Sequence, residues 1–125
     1  LSDLNLKLDN FSVFPGSELK LLQALQLGCA GIITATRNVT ASLSRQVYDD
    51  YLSGKEQLHN KKLCEVRNVF DKYNLISGLH TFYSKENEIY ENILPPLRLL
   101  NSKEEKDLME NLKKLNFKLN SKMAA

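Results

Sequence analysis

The chain contains no tryptophan, only two histidines and two cysteines, and no apolar run near the roughly 20 residues that cross a bilayer. Each scarcity excludes a class of protein. Cys29 and Cys64 are far from any CxxC spacing, which argues against a zinc or redox motif and for two buried reduced thiols in a cytoplasmic protein. His59 and His80 stand alone on helical segments, the pattern of packing or surface residues rather than of a metal site. Charge of one sign is also missing: 17 basic and 15 acidic residues are interspersed, so nothing favours nucleic acid as a partner. Leu1-Ser-Asp-Leu-Asn5 has no signal-peptide layout, and nothing else suggests secretion or a membrane. There is no internal repeat and no low-complexity linker.

What is present is most telling between Phe11 and Asn38. Phe11, Val13 and Phe14 are β-formers, and Pro15-Gly16 breaks the run and leaves room for a ligand against the backbone. Ser17 can cap a helix whose first turn holds Glu18, a carboxylate suited to the positive end of the dipole. Leu21, Leu22, Ala24, Leu25 and Leu27 follow at helical spacing, and Gly28 is a natural stop. Ile32 to Thr36 resume a short β-branched run without charge. A helix between two apolar strands is a crossover, so the strands should be parallel neighbours in one sheet. Two parallel strands cannot bury themselves. The expectation is that this is the last part of a larger α/β protein, with the residues after each strand belonging to its site.

The rest reads as helical. Thr40 or Ser42 can open a helix with an apolar stripe of Leu43, Val47, Tyr48, Tyr51 and Leu52, closed by Ser53-Gly54. A second helix is predicted from about Lys55 to Tyr73, burying Leu58, Leu63, Val66, Phe70 and Tyr73, and a third over Leu75–Tyr83 near Gly78. Asn92 to Asn101 should be extended, because Pro95-Pro96 interrupts any helix. Ser102-Lys-Glu-Glu105 reads as a capping box before Leu108, Leu112 and Leu115, and residues 118–125 as a frayed tail.

The strings Phe14-Pro-Gly-Ser-Glu18, Leu21-Leu-Gln-Ala-Leu-Gln-Leu-Gly-Cys-Ala-Gly31 and Ile32-Ile-Thr-Ala-Thr-Arg-Asn-Val39 resemble strands seven and eight of the dihydrodipicolinate synthase/N-acetylneuraminate lyase family. The Gly78-Leu79-His80 step, the Leu94-Pro-Pro-Leu97 stretch and the final helix are also similar to it. The resemblance implies an α/β fold, the C-terminal fragment of a (β/α)8 TIM barrel plus a helical extension: residues 1–54 end the barrel, and 55–117 form the extension. It implies a class I aldolase in which a lysine forms a Schiff base with pyruvate or a related 2-oxo acid, with no cofactor and no metal, working as a dimer or tetramer.

A neutral amine must attack the ketone, and the iminium then withdraws electrons from the bond being made or broken. In the family that lysine ends strand six, outside this chain. Lys7 lies too close to Phe11 for the helix that should separate strands six and seven, and Lys20 reads as solvated, so no catalytic residue is expected here. By resemblance the chain supplies one wall of the substrate site: Gly16 and Ser17 line the pocket, Glu18 faces substrate hydroxyls, Ile33 offers its backbone carbonyl, and Thr34 and Thr36 supply hydroxyls. Glu18 reads equally as a partner of the helix dipole, and the two threonines equally as plain β-formers. Arg37 could pair with an acid at the rim. The aldehyde partner stays open, because Ser17-Glu18 replaces the paired acids of some branches. Two other readings stand beside this one: a non-catalytic helical interaction module, and one chain of a split barrel. Standing alone, Phe11, Val13, Ile32 and Ile33 should lack partners to bury them.

Overall fold

The computed structural model describes Asp3 and residues 8–118. The expected helix end at Leu1 and Leu4, Lys7, and nearly all of the expected tail fall outside the described residues. The chain divides into two compact units, Leu1–Cys64 and Glu65–Ala125. The division falls inside a helix rather than after Gly54, because Leu63 joins Leu21, Leu25, Ile32 and Val47 in one buried cluster.

In the first unit, a 3-10 turn (Glu18–Lys20) leads into α1 (Leu21–Gln26), which packs on α2 (Arg37–Leu52). Ser17 caps the turn as expected, its hydroxyl accepting from the Leu19 amide at 3.3 Å. Both helices end on glycine in the same way. Gly28, at φ 82°, and Gly54, at φ 65°, take the left-handed conformation that costs other residues a clash at Cβ. The chain then turns back so that Cys29 N–H reaches the Ala24 carbonyl at 2.8 Å and Lys55 N–H the Asp50 carbonyl at 2.9 Å.

The two predicted strands do not form: among the described residues no strand is present. Residues 11–15 and 30–34 still run side by side, with Ala30 N–H donating to the Val13 carbonyl at 3.0 Å and Ile33 N–H to the Pro15 carbonyl at 3.2 Å. A parallel ladder next requires an N–H from residue 15 to the Ala30 carbonyl, and proline has none. The ladder therefore fails at the residue that breaks the β-run. Val13 and Ile32 are nevertheless buried, whereas Phe11 and Phe14 stay half-exposed and Ile33 is 70% exposed.

α2 begins at Arg37, before either expected cap, and Thr40 lies inside it. The Thr34 hydroxyl accepts the Arg37 amide at 3.2 Å and so does the work of a cap. Val47 is buried and Leu43, Tyr48 and Tyr51 partly so, but Leu52, at the helix end, is exposed.

α3 (Asn60–Asp71) starts after Leu58, which is exposed, and ends before Tyr73; Val66 and Phe70 are fully buried. In the second unit α4 (Leu75–Ser84) is capped by Asn74 and packs on a 3-10 turn (Glu88–Glu91) and on α5 (Ser102–Lys114). Phe82 sits edge-on to Phe70 and beside Phe117. The irregular segment through Pro95-Pro96 is held at its end by Thr81, whose hydroxyl accepts the buried Leu100 amide at 3.0 Å while donating to the Ser77 carbonyl at 2.8 Å. The capping box of α5 is real but one residue earlier than expected: Asn101 accepts from Glu104 N–H at 2.9 Å and the Glu104 carboxylate takes the Asn101 amide. Asparagine caps as well as serine, and it precedes Ser102. No helix among the described residues is long and apolar enough to cross a membrane.

Candidate functional site

The failed ladder leaves the ends of the two extended segments to be joined by side chains. Glu18 joins them. Its carboxylate oxygen Oε1 accepts from Thr36 Oγ1 at 2.6 Å, Thr34 Oγ1 at 2.7 Å and Thr40 Oγ1 at 2.9 Å. These donors come from the end of the second extended segment, from the turn after it and from the first turn of α2, so one oxygen binds three parts of the unit. Each hydroxyl has a single proton, so Thr34 and Thr36, 3.0 Å apart, stand as parallel donors to a shared acceptor. Burial in a low-dielectric interior makes such bonds stronger than they would be in water.

Glu18, Thr36 and Thr40 are wholly buried and Thr34 is partly exposed. Five of the six residues singled out in the sequence thus fall together. Glu18, Thr34 and Thr36 share the hydrogen-bonded cluster; Gly16 adjoins Ile33, whose carbonyl oxygen would lie 3.9 Å from a Cβ placed on that glycine. The sixth, Ser17, spends its acceptor on the Leu19 amide at the mouth of the turn. Glu18 and Thr36, expected to offer polar groups to a substrate, have their side chains turned into the protein. Thr40 was missed as a site residue. Its only sequence signal is a threonine one helical turn after Thr36, which puts the Thr36 carbonyl 3.1 Å from its hydroxyl as a second acceptor sharing the one proton.

A cavity of about 250 Å³ opens elsewhere in this unit, lined by Phe14, Gly31, Ile32, Arg37, Arg45 and Tyr48 among others. None of the six expected residues lines it. Arg45 is already committed, paired with Asp49 at 2.9 Å and lying over the Tyr48 ring. In the second unit, His80 Nδ1 is 2.9 Å from the Tyr90 carbonyl, a structural tie. No cluster of three His, Cys, Asp or Glu side chains suited to a metal ion occurs among the described residues, and Cys29 and Cys64 are reduced thiols, the first buried and the second half-buried.

A glycine turn, a capped 3-10 turn leading into a helix, and a hydroxyl-rich second segment are thus joined across the ends of two extended segments. Residues 4–115 match the dihydrodipicolinate synthetase family, and the chain belongs to it. It is 26% identical over 97 residues to a 2-dehydro-3-deoxy-D-gluconate/2-dehydro-3-deoxy-phosphogluconate aldolase of Picrophilus torridus, an overlap covering 75% of this chain and 36% of that protein. The fold is similar to that of dihydrodipicolinate synthase DapA-2 of Bacillus anthracis, with a TM-score of 0.78 and 18% identity, covering 88% of this chain and 39% of that one. The chain therefore spans a little over a third of the length of the relatives it matches.

Proposed function

We propose that this chain forms one wall of the substrate site of a Schiff-base aldolase acting on pyruvate or a related 2-oxo acid, and that the reactive lysine comes from outside the wall. The observation that carries this reading is the meeting of Gly16, Glu18, Ile33, Thr34 and Thr36 at the joined ends of two extended segments, in a chain of this family. Active sites of (β/α)8 barrels gather at the C-terminal ends of their strands, and a barrel takes roughly 250 residues, more than this chain holds. The exposed Phe11, Phe14 and Ile33 suit such a setting, since further strands would cover them.

In this reading the wall binds and orients. Ser17 and Thr34 carry the hydroxyls nearest the surface, the Gly16 backbone admits close approach, and the Ile33 carbonyl accepts a hydrogen bond near the iminium. Glu18 and Thr36 form the wall's inner layer. Holding an enamine and an aldehyde in line turns a bimolecular step into a unimolecular one, which is where a wall without a nucleophile contributes to rate. Copies of the assembled barrel associate as a dimer or tetramer in the cytoplasm.

Borohydride trapping with pyruvate tests the assignment. The purified 125-residue chain is expected to gain no reduced adduct, while an assembly joining it to a lysine-bearing barrel half gains one on that half. In that assembly Ser17→Ala and Thr34→Val should raise KM. An adduct on a lysine of this chain, or none in the assembly, would sink the reading.

A further inference from the structure

The sequence leaves Glu18 divided between a substrate ligand and a partner of the helix dipole. The geometry points to a third role. We propose that Glu18 and Thr40 are positioning residues: the carboxylate acts through Thr34, Thr36 and Thr40 to hold segment 33–36 against the Gly16 turn, and no substrate reaches it. This rests on the aldolase reading for its catalytic consequence, but not for its structural one.

Three observations carry it. First, Glu18 is wholly buried in a unit that still exposes Phe11, Phe14 and Ile33. Any further strand or partner laid on that surface removes solvent from it and adds none, so a group shut off here stays shut off in an assembly. Second, Oε1 already accepts three hydroxyls at 2.6 to 2.9 Å, leaving no room at that oxygen for a substrate hydroxyl. Third, Pro15 cannot donate to the neighbouring segment, so the backbone bond beside the site, from Ile33 N–H to the Pro15 carbonyl at 3.2 Å, is not backed by a continuous ladder. The cluster replaces that ladder. Thr40 matters because it alone of the three donors lies within regular helix, and so ties the irregular residues 34–36 to a rigid element.

Residue-resolved amide exchange on the 125-residue chain tests this. The amides to follow are Ile33, bonded to the Pro15 carbonyl, and Arg37, bonded to the Thr34 hydroxyl, with those of helix 102–114 as the control. Thr40→Val should speed exchange at Ile33 and Arg37 by about tenfold while leaving the control unchanged, and Thr40→Ser, which keeps the hydroxyl, should restore protection. Glu18→Leu should speed exchange at the same amides by more than Thr40→Val does, and adding Thr40→Val to it should change little further. If Thr40→Val instead melts the whole of α2, Thr40→Ser decides: native protection supports the role and lost protection overturns it. Unchanged exchange at Ile33 and Arg37 in Thr40→Val also overturns it.

A second arm uses the lysine-bearing assembly. There Thr40→Val and Glu18→Gln should lower kcat by one common factor for aldehydes with and without a hydroxyl beside the carbonyl. A loss confined to the hydroxylated aldehyde would mean that the carboxylate touches substrate. Absence of turnover in the unmodified assembly would count against the aldolase reading alone, since the exchange experiment stands without it.

Discussion

The two units of this chain solve one problem with different chemistry. Each must hold an irregular segment that cannot hydrogen-bond in a regular ladder, and each has a proline at the point of failure: Pro15 in the first, Pro95-Pro96 in the second. The first unit spends a buried carboxylate and three threonine hydroxyls on the task, next to a modest core of Leu21, Leu25, Ile32, Val47 and Leu63. The second spends one hydroxyl, that of Thr81, and relies on an aromatic core of Phe70, Phe82 and Phe117 with Leu108 and Leu112. Buried polar joints are directional and costly to leave unmade, whereas apolar packing is forgiving in geometry. Directional restraint therefore lies where the candidate site is, and bulk burial lies in the helical extension.

The comparison can be broken most severely in the second unit. Phe70→Ala removes a fully buried ring that meets Phe82 edge-on, and should cost about 3–5 kcal/mol in chemical denaturation. Glu18→Leu comes next: it keeps the volume but takes the acceptor from three hydroxyls, and about 3 kcal/mol is expected because some of them can re-pair with one another. If Glu18→Leu proved neutral, the carboxylate would not be a structural joint. Thr81→Val is the matched change in the second unit; it orphans a single buried amide, that of Leu100, and should cost about 1–2 kcal/mol. A larger loss than for Glu18→Leu would reverse the assignment of polar restraint to the first unit.

The smallest effect is a pH dependence. Tyr73 hydrogen-bonds to Asp107 of α5. Burial, and then that bond and the charge of Asp107, push the Tyr73 hydroxyl from 10.0 to about 12, while the same bond holds the Asp107 carboxyl below its usual 3.8. Tyr73 is more stable protonated in the fold, so its contribution is complete below pH 10 and fades as pH rises toward about 12. Asp107 has the opposite sign: its contribution is complete above 3.8 and fades as pH falls further. Both groups are largely solvated, so the effect is modest. Tyr73→Phe should flatten both limbs of a Tm-against-pH curve; unchanged limbs would show that the pair does not couple α5 to the rest of its unit.

Local chemistry made much of this legible beforehand. Gly28 and Gly54 stop their helices because a left-handed residue is needed there, and Ser17 caps its turn because its hydroxyl is beside an unpaired amide. The final helix and its capping box were readable to within one residue. The predicted strands were not realised. The β-branched run 32–36 stops short, since Ala35 and Thr36 already turn into α2, and a ladder also depends on whether the neighbouring segment can donate at the right position. The start of α2 was misplaced because Thr34, not Thr40, takes its first amide. Thr40 went unnoticed as a site residue because the oxygen it serves belongs to Glu18, 22 positions earlier.

The sequence by itself determined that most of the chain is helical, the glycine stops of α1 and α2, the final helix to within one residue, and the family. These follow from backbone conformation and short-range hydrogen bonding, which act over a few residues. Only the tertiary structure decided that Glu18 points inward, that Thr40 completes its cluster and that the division of the chain falls inside α3. A carboxylate's partners are set by which distant segments meet around it, and the spacing of residues along the chain holds no record of that meeting.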